Sequence, residues 1–135
     1  MGKIGDFGTH RVEHELSALY GVTHGAGIAV ITLAWMRYVC RKKPALFARY
    51  ARNVWDVPAG FGDDVETALE GVNRLENFFK AIGLPVRLSE LGVPEDISSY
   101  ELMAERCTAK GPQGKFFKIF KEDAVEIYKI AQRGE

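Results

Sequence analysis

Apolar positions recur along this chain at helical rather than alternating spacing. Val12, Leu16 and Leu19 fall on one face of a helix read over Met1 to Leu19, and His10, His14 and Ser17 fall on another. Gly21 offers the left-handed stop that ends such a helix, and Thr23 is suited to cap the next, read from His24 to Cys40. That second segment stays uncharged through Met36. It is too apolar for a surface helix and too short to span a bilayer, so it is expected at the centre of the molecule. Arg41, Lys42 and Lys43 complement the negative end of its dipole, and Pro44 fits the first turn of a third helix ending near Val54.

Pro58, Gly60 and Gly62 mark Asp56–Gly62 as a loop. Asp63 and Asp64 then open an amphipathic helix carrying Val65, Ala68, Leu69, Val72, Leu75, Phe79 and Ile82 at helical spacing, closed by Gly83 and Pro85. Ser98 with Glu101 forms a capping-box pattern for a helix reaching Cys107. A last helix, from about Glu122 to Gln132, presents Ala124, Ile127, Tyr128 and Ala131 to the core. Val86 to Leu88 is the only stretch that suits a strand. The pattern predicts an all-α domain of about five to seven helices, without internal repeats or low-complexity tracts.

Composition narrows the function classes. The chain has 135 residues, 47% hydrophobic and 27% charged, with 18 basic against 18 acidic side chains. A chain of this size buries enough apolar surface to fold without a disulfide framework or a structural metal. Zero formal charge leaves no surplus of cations for a phosphate backbone, which argues against a nucleic-acid partner. No segment reads as membrane-spanning, and the opening residues MGKIGDFGTH lack the apolar core of a secretory signal. Cys40 and Cys107 form no CxxC pair and lie within apolar helical patterns, as buried thiols of a cytoplasmic protein do.

The candidate chemistry is concentrated near the N-terminus, since all three histidines lie between His10 and His24. His10 and His14, four apart, project from one helical face. Taken alone, such a pair is more often solvated or hydrogen-bonded than functional. His24 alters that balance. In a continuous helix it would lie roughly 21 Å from His10, whereas metal ligands converge within a few ångströms. A shared site therefore requires the chain to turn back at Tyr20–Thr23. His24 would then stand at a helix N-terminus beside Gly25 and Gly27, where missing side chains permit close approach.

The arrangement is not HExxH, because no glutamate directly follows His10. Glu13 is read on a different helical face, and Asp6 is the only nearby carboxylate on roughly the same side, so no closed four-ligand site is offered. Two other patterns carry little weight. Gly25–Val30 contains GxGxxA without a preceding strand or a suitably spaced acid. The basic and aromatic residues between Lys110 and Lys121 suit core aromatics with solvated lysines better than a single-strand binding surface.

The run HRVEHELSALYGVTHGAGIA, residues 10–29, closely resembles the histidine-rich signature of iron-containing alcohol dehydrogenases, especially their butanol-dehydrogenase-like branch. The resemblance continues through Ala34–Val39, reappears in Glu101–Ala104 and in the tail from Gly111 to Ala131, and so covers essentially the whole chain. It implies the all-helical, metal-binding domain of a dehydroquinate-synthase-like fold as a single unit over residues 1–135, without the family's N-terminal nucleotide-binding domain. It further implies iron(II) or zinc as the metal, His10 and His24 as metal ligands, and His14 as a proton relay near substrate and nicotinamide.

An aspartate and a first histidine of the family's metal shell have no counterpart here, and Leu33 stands where many relatives carry proline. Met1–Phe7 looks like an internal stretch of the family. These departures lead to the expectation of a truncated part of an NAD(P)-linked alcohol or aldehyde oxidoreductase. Alone it would be inactive, with NAD(P) bound only together with a nucleotide-binding half and with homo-oligomerisation through uncovered apolar area. The alternative is a non-catalytic helical module for oligomerisation or protein interaction. A weaker one is a site completed by a neighbouring chain.

Overall fold

The computed structural model describes residues 8–135, so the expected helical start before Gly8, and Asp6 with it, lie outside the described residues. Six α-helices follow in order: α1 (Thr9–Tyr20), α2 (His24–Cys40), α3 (Pro44–Trp55), α4 (Asp64–Ala81), α5 (Ile97–Cys107) and α6 (Lys121–Arg133), with a short 3-10 turn at Leu88–Leu91 between α4 and α5. The all-α reading holds. The predicted first helix does not run through Gly8, whose left-handed backbone (φ 82°) makes α1 begin at Thr9.

Gly21 ends α1 in the left-handed conformation and returns its N–H to the Ser17 carbonyl, as its sequence position foretold. Pro44 occupies the first turn of α3. The capping box sits not at Ser98 but at the start of α4. There Asp63 Oδ1 accepts from the Glu66 N–H at 2.8 Å, and Glu66 Oε1 accepts from the Asp63 N–H at 3.0 Å. Ser98 lies inside α5; the cap is Asp96, which accepts the Ser98 N–H at 3.1 Å. Val86–Leu88 is not a strand. Its two apolar side chains are buried, but the backbone leads directly into the 3-10 turn.

α2 is the central element, packed against α1, α3, α4, α6 and the 3-10 turn. Val30, Ile31, Leu33, Ala34 and Val39 are all within 1% of complete burial, which accounts for the uncharged run in the sequence. The Lys110–Lys121 stretch makes one isolated antiparallel bridge, Gln113 to Ile119. Ile119 is fully buried, and Phe116 and Phe117 pack on the core, as the core-aromatic reading expected.

The ends of the chain are tied together. The buried Tyr128 hydroxyl of α6 donates to the Val12 carbonyl of α1 at 2.6 Å, and Asp123 accepts from both the Tyr38 hydroxyl and the Phe120 N–H. Among the described residues no helix is long and apolar enough to cross a membrane.

Candidate metal and proton-transfer site

One short break in helicity, at Gly21–Thr23, positions the histidines. α1 carries His10 and His14 one turn apart. The left-handed Gly21 reverses the chain, and α2 begins at His24 with the Gly27 N–H bonded to the Thr23 carbonyl at 2.9 Å. The turn-back that a shared site requires is present. The His10 and His24 rings stack with centroids 4.8 Å apart and planes 27° apart. His10, Arg11, His14 and His24 line one open recess of about 320 Å³. All three imidazoles face solvent.

For His14 and His24, a polar partner on Nδ1 fixes where the ring hydrogen sits. A guanidinium can only donate, so the Arg11 Nη1 contact to His14 Nδ1 at 3.2 Å makes that nitrogen the acceptor and leaves the hydrogen of a neutral ring on Nε2. Arg11 is itself held by the buried Glu15 at 2.8 Å. His24 Nδ1 lies 2.5 Å from Glu13 Oε1.

Glu13 was read on a face away from the site, yet its carboxylate reaches across the turn to His24. Arg11 and Ser17 were likewise not assigned to the site, whereas Gly27 was marked for close approach beside His24. The signal in the sequence was a glutamate at a core phase of α1, between Val12 and Leu16, where an unpaired carboxylate is not tolerated.

Two imidazoles side by side suit iron(II) or zinc. Among the described residues no group of three or more His, Cys, Asp or Glu converges as a fuller shell. The pair therefore fits two positions of such a shell and does not complete it.

The sequence model of the Fe-containing alcohol dehydrogenase family, C-terminal region, matches residues 1–132. The chain belongs to this family. It is 36% identical over 132 residues to NADH-dependent butanol dehydrogenase A of Clostridium acetobutylicum, covering 96% of this chain and 33% of that protein. It is 35% identical over 131 residues to probable NADH-dependent butanol dehydrogenase 1 of Bacillus subtilis, covering 97% and 33%. The crystal structure of NADH-dependent butanol dehydrogenase A from Thermotoga maritima superposes with a TM-score of 0.80 at 33% identity, over 94% of this chain and 33% of that one. The chain thus spans about a third of the length of these iron-containing alcohol dehydrogenase relatives.

Proposed function

We propose that this helical unit contributes His10 and His24 to the metal site, and His14 to proton transfer, in an NAD(P)-linked oxidoreductase acting on alcohols and aldehydes. The nicotinamide would be held by a nucleotide-binding half outside this stretch of sequence. The observation that carries the reading is the meeting of His10 and His24, fourteen positions apart, in one recess with His14. Family membership supports it.

Iron(II) or zinc, when bound, supplies Lewis acidity that makes the substrate hydroxyl easier to deprotonate. His10 and His24 would hold that ion, and two donors alone would hold it weakly. Oxidation of an alcohol to a carbonyl releases a hydride and a proton; a nicotinamide, when bound, would supply the hydride acceptor, and the proton is what residues of this chain would move. His14 serves the proton. For aldehyde reduction its Nε2–H would supply the proton to the alcohol oxygen and Nε2 would then be reprotonated from solvent, Arg11 staying on Nδ1; oxidation runs the path in reverse.

The test is reconstitution. This chain, combined with a separately produced nucleotide-binding half from the family, iron(II) and a reduced nicotinamide, is expected to reduce short-chain aldehydes. His10→Ala and His24→Ala are each expected to lower the rate by more than about 100-fold, beyond the loss of an outer-sphere partner. A folded, assembled complex without activity, or variants as active as the parent, would overturn the reading.

A further inference from the structure

Glu13 is a fully buried carboxylate whose ion-pair partner among the described residues is a histidine, not a lysine or arginine. Both its oxygens are nevertheless occupied: Oε1 contacts His24 Nδ1 at 2.5 Å, and Oε2 accepts from Ser17 Oγ at 2.6 Å. The space it fills is made by Gly27. A Cβ at that position would lie 2.3 Å from Oε2 and 2.8 Å from Cδ and Cγ of Glu13. A glycine in the first turns of α2 weakens the helix relative to alanine, and here the missing methyl is what admits a side chain from α1. Two helices thus build a seat for one carboxylate.

The seat has a chemical consequence for His24. A carboxylate only accepts, so the hydrogen of a neutral His24 ring must sit on Nδ1, leaving Nε2 with a lone pair on the side of the ring away from Glu13. A histidine ligand requires that state. The neighbouring His14, with Arg11 donating to its Nδ1, is held in the opposite tautomer. The recess therefore contains one ring prepared to bind a cation and one prepared to give up a hydrogen. Among the described residues Glu13 is the polar partner of His24, whose half-exposed side chain stands at a helix terminus.

We propose that Glu13 is a positioning residue that locks His24 in the Nδ1–H tautomer and aims its Nε2 lone pair into the recess shared with His10, with Ser17 and Gly27 holding the carboxylate in place. The metal consequence rests on the reading of His10 and His24 as metal donors; the tautomer does not.

The test is long-range ¹H–¹⁵N correlation NMR of the histidine rings in the metal-free chain at about pH 8, above the ordinary histidine range, followed by titration with Zn²⁺ on the same signals. The parent chain is expected to show Nδ1–H for His24 and Nε2–H for His14. Glu13→Gln, which retains an accepting oxygen, is expected to preserve the His24 pattern. Glu13→Ala is expected to mix the two tautomers and weaken Zn²⁺ binding about 10- to 100-fold. Gly27→Ala, which displaces the carboxylate without removing it, is expected to do the same.

An Nε2–H pattern for His24 in the parent overturns the proposal, and so does an unchanged His24 pattern in a folded Glu13→Ala or Gly27→Ala chain. If Glu13→Ala does not fold, the parent spectrum and Gly27→Ala still decide. A parent with the expected tautomer but no Zn²⁺ response at His10 and His24 supports the Glu13 assignment and counts against the metal reading.

Discussion

At the scale of single residues, the two cysteines show how burial sets reactivity. Cys40 is fully buried and Cys107 is 1% exposed. Their thiols donate to the carbonyls three residues earlier, of Arg37 and Ala104. Burial pushes both pKa values up to about 11. For Cys40, Arg41 and Arg37 offset only part of that; for Cys107, Glu15 adds to it. The thiolate is the nucleophile, so both groups are inert at neutral pH while the fold is intact. A chromogenic disulfide reagent at about pH 8, below the shifted thiol range, is expected to titrate neither cysteine in the native protein and both after denaturation in guanidinium.

Glu13 marks the limit of what could be read at this scale. Periodicity placed it beside Val12 and Leu16 and away from His10 and His14, which is correct for the helix but says nothing about a side chain reaching over a turn. His10 and His24 were legible because three histidines in fifteen residues and a glycine break are local features. The carboxylate beneath them was not, because its partner lies eleven residues away across that break.

At the scale of elements, α3 and α4 approach through missing atoms. A Cβ on Gly71 would lie 2.5 Å from the Ala51 Cβ, and Ala51 is fully buried. Gly71→Ala, although it improves helix propensity, is expected to destabilise the fold by about 1–3 kcal/mol through overpacking. Adding Ala51→Gly should recover part of that loss in denaturant titrations, a coupling that distant sites would not show.

A buried ionic knot joins three further segments. Glu76 of α4 meets Arg37 of α2 at 2.9 Å and Arg87, just before the 3-10 turn, at 2.6 Å, with Lys80 at 3.4 Å. Burial works against ionisation of Glu76, but the hydrogen bonds and charges of Arg87 and Arg37 outweigh it and hold the carboxyl down to about 2 from an ordinary 4.5. A carboxyl depressed by folding contributes stability that is fully present above about 4.5 and is lost as pH falls toward about 2. Glu76→Gln is expected to flatten stability against pH across that window. Near neutrality it is expected to cost about 3–5 kcal/mol, because Arg37 is left buried without its counter-ion. Urea midpoints measured from neutral to acid pH check both effects.

Element boundaries were legible where the chain carries its own punctuation. Gly21, Pro44 and Asp63 each act within a turn. They were misread where two capping residues compete: Asp96 precedes Ser98 by two positions and takes the cap. Val86 and Leu88 looked strand-like because alternate side chains are buried, but no neighbouring strand exists among the described residues to pair with them. Their burial comes from the core beneath the 3-10 turn instead.

At the scale of the whole molecule, apolar side chains remain uncovered on α3 and α4 and the loop between them. Leu46, Val54, Phe61 and Phe78 are between 46% and 56% exposed. Leu46 and Val54 border a largely apolar groove of about 560 Å³ that also takes in Trp35, Met36, Phe47 and Phe116. With no net charge to oppose contact between copies, the isolated chain is expected to self-associate as concentration rises, measured by multi-angle light scattering. Leu46→Ser with Val54→Ser is expected to shift it toward monomer. A monomer at every concentration would show that these faces are adequately solvated.

The bond from Tyr128 to Val12 gives this molecule an order of completion. The helix carrying His10 and His14 is synthesised before the tyrosine that clasps it, the two bonded groups being 116 positions apart, so a nascent chain displays all three imidazoles before their platform is latched.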